Sequence, residues 1–224
     1  MKQRSYKLLC PIARGLDRIG DRWTLLILRD LHAGPARFTD LQHGLTGIAA
    51  NLLTERLVKL VAEGLIVKAD GPHGATLYEL TALGQRTGDL IFELAVFGAQ
   101  FPSEADIVRP GNLRTVAVTL NAAAKRATVG DLDVVIGLEV DGESFELRAQ
   151  DGSATVAYMA ASNPDVEMQT SYGALMALSE GELSEQLFLE DHCKVNIKTP
   201  GKDKVLLQLM RLLIGVLSDA SGES

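Results

Sequence analysis

Residues 47–64, which read GIAANLLTERLVKLVAEG, constrain the fold more than any other stretch of this chain. Leu53, Leu57 and Leu60 recur at helical spacing and form an apolar stripe, and Gly64 is placed to end the helix as a left-handed cap. The front of the helix carries two alanines and an asparagine, all small and uncharged. The pattern predicts an amphipathic helix whose slim start can approach another surface closely.

The segments around this helix supply the other parts of a winged helix-turn-helix. Residues 11–19 and 23–34 have helical periodicity, Asp21 is placed to cap the second of these helices, and Thr39 and Gln42 have capping-box spacing for a short third helix. Downstream, LIVKAD and TLYELT are strand-like and flank GPHGA, which is typical of a hairpin, and a last apolar helix follows. The order predicts a winged helix-turn-helix over residues 1–100.

The formal charge is divided unevenly along the chain. Residues 1–68 hold eleven Lys/Arg and six Asp/Glu, a net charge of +5, whereas residues 101–224 hold ten and nineteen, a net charge of −9. A basic front end on a chain with an overall charge of −7 favours a polyanionic partner for that end. Double-stranded DNA is the expected partner, and chance surface composition is the alternative.

The slim helix start is suited to the major groove, where small side chains let the backbone approach the bases. Asn51 is placed to bond an adenine edge, and Arg37 and Lys68 are suited to phosphate contacts. The expected DNA-binding residues are Arg37, Thr39, Ala50, Asn51, Thr54, Arg56, Lys68 and His73.

Each charged member of this set has an alternative as a solvated surface residue. Arg56 and Lys59 are equally able to form ion pairs with Glu55 or Glu63 on the same helix. Asn51 has the alternative of a simply exposed residue or a local cap.

The second half of the chain has a different pattern. Five strand-like runs, VVIGLEV, SFELRAQ, SATVAYM, DVEMQT and KVNIKT, are accompanied by two short helices that break at Gly181 and by a final amphipathic helix. Residues 101–112, FPSEADIVRPGN, have the composition of a linker. The fold class is therefore α+β, with residues 113–218 forming a mostly antiparallel five-stranded sheet covered by helices.

Several motifs of the first half occur together and in order: a Cys-Pro opening, RWTLLILRDL, RFTDLQ, LLTERL and YELTALG. Residues 8–100 thereby resemble the HxlR-type winged-helix transcriptional regulators, which are relatives of the MarR group. The resemblance implies a homodimeric DNA-binding regulator. It also implies that a capping serine commonly stands where this chain has Ala49, so the helix start lacks a side-chain cap.

Residues 115–213 resemble a sterol carrier protein type-two domain, through an Asp-Val strand, a helix, Gly181, a helix with Phe188, and a strand. Such domains hold a hydrophobic ligand between sheet and helices. Adaptable thioether and aromatic side chains suit such a pocket, and the expected ligand-binding residues are Tyr158, Met168, Tyr172, Leu175, Met176, Phe188, Leu206 and Met210. For each of them a plain filled core is the alternative.

Other chemistry has little support in the sequence. Cys10 precedes the first helix and is a redox candidate, since a thiolate near a helix start has a lowered pKa, and an inert thiol is the alternative. Asp191, His192 and Cys193 lack a fourth ligand at metal-site spacing, and no catalytic, phosphate-loop, signal or transmembrane motif is present.

We expect a cytoplasmic regulator that is not an enzyme and needs no cofactor, metal or membrane. Two alternatives remain, namely a second domain that only dimerises or stabilises, and a lipid carrier with a docking winged helix.

Overall fold

The structure is a computed structural model that describes residues 5–99, 101 and 112–221. The chain forms two compact units, Met1–Ile91 and Phe92–Ser224. The elements of the first unit are α1 (Pro11–Ile19), α2 (Thr24–His32), β1 (Ala36–Arg37), α3 (Phe38–Gly44), α4 (Ala50–Ala62), β2 (Ile66–Asp70), β3 (Thr76–Leu80) and α5 (Ala82–Gln85). Helix α6 (Thr87–Ala99) begins in the first unit and ends in the second.

The order of elements in the first unit confirms the predicted winged helix-turn-helix. Asp21 caps α2 as expected, because its Oδ1 accepts hydrogen bonds from the N–H groups of Trp23 and Thr24, both at 3.1 Å. Gly64 has φ 69°, the left-handed conformation predicted for the end of α4. The three strands form an antiparallel sheet in the order β1-β3-β2.

The core of the first unit is built from the apolar stripes of its helices. Leu53, Leu57 and Leu60 of α4 are at most 1% exposed, so the predicted leucine stripe is the buried face of that helix. Ile27 and Leu28 of α2 are also fully buried. Burying this stripe fixes which side of α4 faces solvent.

The second unit is built on one five-stranded sheet. Its elements are α7 (Arg114–Arg126), β4 (Val134–Val140), β5 (Glu143–Gln150), β6 (Ser153–Ala157), β7 (Val166–Thr170), α8 (Tyr172–Ser179), α9 (Glu185–Asp191), β8 (Lys194–Ile197) and α10 (Lys202–Ser221). Strand β4 alternates buried and half-buried residues along its length, as expected for a sheet with one face on the core. All five predicted strands are present.

The predicted mostly antiparallel sheet is wrong, because the sheet is mixed. Its strand order is β6-β5-β4-β7-β8, and the central pair β4·β7 is parallel. The turn signals of the sequence specify only the hairpins that join β4, β5 and β6. After β6 the chain crosses back to the far side of β4 through residues 158–165, and it passes so close to Gly137 that a Cβ at that position would lie 3.5 Å from the side chains of Ala161 and Pro164. That crossover makes β7 run in the same direction as β4.

Helix α7 is an element that the sequence analysis did not predict. Its residues Thr115, Val116, Val118 and Thr119 are β-branched and disfavour a helix on propensity alone. Tertiary packing overrides that preference, since Val116 and other apolar residues of α7 are buried.

Of the predicted linker 101–112, residues 102–111 lie outside the described part of the chain. The predicted domain limits at 100 and 113 therefore stay predictions.

Candidate functional site

The start of helix α4 is open to solvent. Ala49 at the N-cap position and the first two helical residues, Ala50 and Asn51, are all exposed, and Ala49 makes no side-chain capping hydrogen bond. The absence of a cap confirms what the sequence indicated. The first N–H groups of a helix have no partner within the helix, and they carry a partial positive charge. This end of α4 can therefore accept an external hydrogen-bond acceptor.

Two polar side chains stand at this open end. Asn51 is exposed and lies in the first turn of α4. Thr54 is also exposed, and its hydroxyl donates a hydrogen bond to the carbonyl of Ala50 at 2.9 Å. Because its hydroxyl proton points to Ala50, the Thr54 side chain has acceptor lone pairs and a methyl group available to a binding partner.

Helix α3 brings two further predicted residues to the surface. Arg37 precedes α3, Thr39 is its second residue, and both are exposed. The predicted capping box of Thr39 and Gln42 is wrong, because α3 begins earlier, at Phe38. The carboxylate of Asp40 instead accepts a hydrogen bond from the N–H of Arg37 at 2.9 Å, which leaves the Thr39 side chain outside the cap.

Arg56 is held inside the unit by two carboxylates. Its Nε lies 2.9 Å from Asp21 Oδ1 and its Nη1 lies 3.1 Å from Glu55 Oε1. This is the ion-pair alternative, and Asp21 is a partner that the sequence did not suggest. Burial opposes ionisation of Asp21, but hydrogen bonds from Thr24 and the Trp23 amide and the charge of Arg56 outweigh it and lower the pKa of the carboxyl. One carboxylate thus caps α2 and anchors α4.

The hairpin places its two predicted residues on the wing. Lys68 of β2 is exposed, and its Nζ lies 6.0 Å from the centroid of the Tyr78 ring on β3. His73 is exposed in a short 3₁₀ turn at the tip, Pro72–Gly74, and has φ 58°. The side chains of Lys68 and His73 are accessible to a partner, although the wing also carries the exposed Asp70.

Comparison with known proteins identifies the family of the N-terminal part of the chain. Residues 18–106 match the family model of HxlR-like helix-turn-helix proteins. The HTH-type transcriptional regulator sll1512 of Synechocystis is 30% identical over 95 residues, which are 42% of this chain and 70% of that protein. The chain belongs to the HxlR-like helix-turn-helix family. It is a transcriptional regulator of this family with a DNA-binding helix-turn-helix.

Other proteins similar to this HxlR-like regulator are also transcriptional regulators or transcription factors. The regulator YtfH of Escherichia coli K12 is 31% identical over 90 residues, which are 38% of this chain and 70% of YtfH. The crystal structure of the transcription factor PA1607 is 36% identical in sequence over 46% of this chain and 72% of that chain, and it superimposes with a TM-score of 0.42. The matched residues of the family model lie in the N-terminal part, so it gives the sterol carrier resemblance no support.

The predicted ligand residues of this HxlR-like regulator are distributed over several parts of its second unit. Tyr172, Leu175 and Met176 of α8 line an apolar cleft of about 120 Å³ between α7, α8 and α10. Phe188 is fully buried beside α8, where Met210 packs against it.

Phe188 and Met210 do not line this cleft, and neither do the other three predicted ligand residues. Met168 and Leu206 are core residues with exposures of 5% and 3%. Tyr158 lies in a polar cluster, where its hydroxyl donates a hydrogen bond to Glu143 and the Arg114 guanidinium lies 4.8 Å from its ring centroid.

Two walls of this cleft are formed by residues that the sequence pattern did not single out. Helix α7 contributes Val116 and Leu120, and α10 contributes Leu213 and Leu217. The signal was present, because each pair has the i, i+4 spacing that places two side chains on one helix face. Because the predicted fold did not include α7, Val116 and Leu120 were not assigned to one face of a helix.

The structure also bears on the cysteines, on metal binding and on membrane spanning. Cys10 is exposed just before α1, and its redox role stays a prediction, whereas Cys193 is half-buried and burial raises the pKa of its thiol. Within residues 5–99, 101 and 112–221, no three His, Cys, Asp or Glu side chains converge as metal ligands. Among the helices of that same part, none has the length and apolarity needed to cross a bilayer.

Proposed function

We propose that this chain regulates transcription as a homodimer that reads an inverted-repeat operator through the open start of α4. The observation that carries the proposal is that Asn51 and Thr54 stand exposed at a helix end without a side-chain cap. In the major groove, Asn51 would bond an adenine edge and Ala50 would let the backbone approach. Two such helices in a dimer would read half-sites about 10 bp apart or a multiple of that spacing.

Phosphate contacts would hold α4 in register. Arg37, Thr39, Lys68 and His73 are exposed around it and are suited to the backbone of the duplex. We assign Arg56 a different role, because Asp21 and Glu55 already bind its guanidinium. It would support DNA binding by fixing the orientation of α4.

Exposed apolar residues support the homodimer. On and before α1, Leu9 is 99% and Ile12 is 74% exposed, and on α6 Leu94 and Phe97 are 48% and 61% exposed. Apolar rows of this kind on a soluble protein mark surfaces that a partner covers. A second copy of the chain would bury the same rows on both subunits.

We further propose that the second unit binds a small hydrophobic effector. The apolar cleft at Tyr172, Leu175 and Met176 supports this proposal, as does the order β7, α8, Gly181, α9, β8 that the sterol carrier resemblance rests on. The burial of Phe188 and Leu206 supports the alternative of a module that only stabilises or dimerises. Operator affinity that is unchanged by every bound ligand would favour that alternative.

The DNA-binding proposal is tested by selecting an operator from random duplexes and measuring variants on it. We expect Asn51→Ala to lose about 1–3 kcal/mol of discrimination at one base pair. We expect Arg37→Ala to weaken all sequences alike and to reduce the slope of log affinity against log salt by about 1.

Asn196→Ala is the matched control, because it removes an exposed amide of the same kind from β8 in the acidic second unit. It should leave operator binding unchanged. An Asn51→Ala variant with the same base preference as the parent at every position would refute the proposed role of α4.

A further inference from the structure

The cleft between α7, α8 and α10 has a buried floor and accessible walls. Val116 of α7, Leu178 of α8 and Leu213 of α10 are 6%, 8% and 4% exposed and form the floor. The walls include Leu175 and Met176, which are only half-buried. The three helices thus leave part of their apolar surface open to the cleft, whereas other apolar residues of α10 are buried in the core.

The volume of the cleft limits how much of an occupant it can bury. At about 120 Å³, it is close to the roughly 150 Å³ of a cavity that holds benzene, and far below the ~300 Å³ at which pockets for drug-sized ligands begin. A sterol or a long acyl chain exceeds this space several-fold. A single six-membered ring fills it, and the flexible Met176 side chain can adjust to such a ring.

The lining of the cleft limits the charge of its occupant. Among the side chains that the structure describes, none that lines the cleft is charged, so an ionised ligand would lose its hydration without gaining a partner there. Hydroxyl groups are present instead, on Thr115 and Thr119 of α7 and on Ser179 of α8. The Ser179 hydroxyl donates to the carbonyl of Met176 at 2.9 Å, so its oxygen is oriented to accept a hydrogen bond from a ligand.

We propose that this cleft binds one uncharged, single-ring molecule that carries a hydroxyl group, and that such a molecule is the effector of the second unit. The inference rests on the proposed function, in that it names the ligand class of the effector site. It differs from the lipid that a sterol carrier domain would hold. The ring occupies the floor at Val116 and Leu213, and the ligand hydroxyl donates to Ser179.

The experiment measures binding to the full-length protein by calorimetry, without DNA. Phenol is the probe, toluene tests the hydroxyl, benzoate tests the charge, and palmitate tests a lipid ligand. We expect phenol to bind, benzoate to bind about tenfold more weakly or worse because its carboxylate has no partner, and palmitate not to displace phenol. Failure of phenol to bind the folded protein at millimolar concentration, equal affinity for benzoate, or displacement by palmitate would each overturn the proposal.

Variants localise the site. Val116→Phe fills the floor and should abolish phenol binding, and Thr119→Trp, at an exposed position of the lining, should block it without overpacking the core. Ser179→Ala should weaken phenol but not toluene. Leu187→Phe on α9, at a position 48% exposed and outside the lining, should change neither. If Val116→Phe does not fold, Thr119→Trp decides, and phenol binding that survives it overturns the proposal.

Operator affinity separates this inference from the proposed function. Measured without ligand, it tests DNA binding alone, and Thr119→Trp should leave it unchanged. Measured with and without saturating phenol, it tests the effector role, and equal values would overturn that role. A protein that binds phenol but no DNA would refute the proposed function and leave the ligand site standing.

Discussion

Helix α4 in the first unit and helices α8 and α9 in the second begin in opposite ways. The Oγ atoms of Ser171 and Ser184 accept hydrogen bonds from the third residues of α8 and α9, at 3.2 and 3.3 Å. Helix α4 begins at Ala49 with no such bond. A capped start is complete within its own unit, whereas an uncapped and exposed start keeps N–H groups available to a partner.

The same contrast holds for charge. The excess of basic residues lies before residue 69, and the acidic excess lies after residue 100. The second unit therefore repels the polyanion that the first unit attracts.

Helix α1 also starts without a side-chain cap, at Cys10. Its first helical residue is Pro11, which has no N–H that a cap or a partner could bind. An uncapped start is thus informative at α4 because it coincides with exposed polar side chains.

The largest effect is expected from removing a core side chain in each unit. Leu57→Ala should destabilise the first unit by about 2–5 kcal/mol and Phe188→Ala the second by about 3–5 kcal/mol, because both side chains are at most 1% exposed. Trp23 is the chain's single tryptophan and reports the first unit. In denaturant unfolding, its fluorescence midpoint should shift with Leu57→Ala and stay with Phe188→Ala, while circular dichroism detects both.

Val58→Ala is the control on α4, since Val58 is 61% exposed and its truncation should change stability by less than about 0.5 kcal/mol. A Trp23 midpoint that moves equally in Leu57→Ala and Phe188→Ala would mean that the units unfold together. The stability of each unit would then depend on the other.

A smaller effect is expected at the carboxylate that joins two helices of the first unit. Asp21→Asn removes the charge that binds Arg56 and weakens the cap of α2, and should cost about 1–2 kcal/mol at neutral pH. The folded pKa of Asp21 is lowered, so its contribution is present above the unfolded pKa of about 3.9 and is lost as the pH falls through the folded pKa.

Stability measured against pH checks this prediction. The difference between the parent and Asp21→Asn should be constant from pH 7 to about 5 and should shrink below about 4. Asp151→Asn in the exposed turn between β5 and β6 is the control, since asparagine tolerates its φ of 51°, and it should change stability by less than about 0.5 kcal/mol at neutral pH. A difference between parent and Asp21→Asn that persists unchanged at pH 2 would show that the charge of Asp21 is not the cause.

Local signals account for what the sequence predicted correctly. The cap at Asp21, the left-handed Gly64 and the leucine stripe of α4 each depend on residues within a few positions of one another. Those signals were enough for the winged helix-turn-helix and for the open start of α4. The five strands of the second unit followed from alternation and turn residues in the same way.

What the sequence did not predict depends on distant contacts. Asp21 and Arg56 are 35 residues apart, so spacing along one helix offered only Glu55 and Glu63 as partners. The parallel pairing of β4 with β7 arises from a crossover over Gly137, which no local pattern encodes. The cleft needs α7, α8 and α10 together, and α7 packs against β6 and α10, which lie far from it along the chain.

The smallest effect, and the most direct test of the contrast between helix starts, comes from exchanging the caps. Ala49→Ser should stabilise the first unit by about 1 kcal/mol, because Ala49, with φ −72° and ψ 140°, already has the backbone conformation of an N-cap residue. Ser171→Ala should destabilise the second unit by about the same amount. The two changes are measured as opposite shifts of the unfolding midpoints, by Trp23 fluorescence and by circular dichroism.

Ala62→Ser is the control for Ala49→Ser, since it adds the same hydroxyl at the exposed last residue of α4, where no free N–H needs an acceptor. It should be neutral or slightly destabilising, by up to about 0.5 kcal/mol, because serine is a poorer helix former than alanine. If Ala49→Ser gives no gain while Ser171→Ala shows its loss, a serine at position 49 adds nothing to the N–H groups of α4. The open helix end would then differ from the capped ones in sequence only, and the proposed contact with DNA would depend on Asn51 and Thr54 alone.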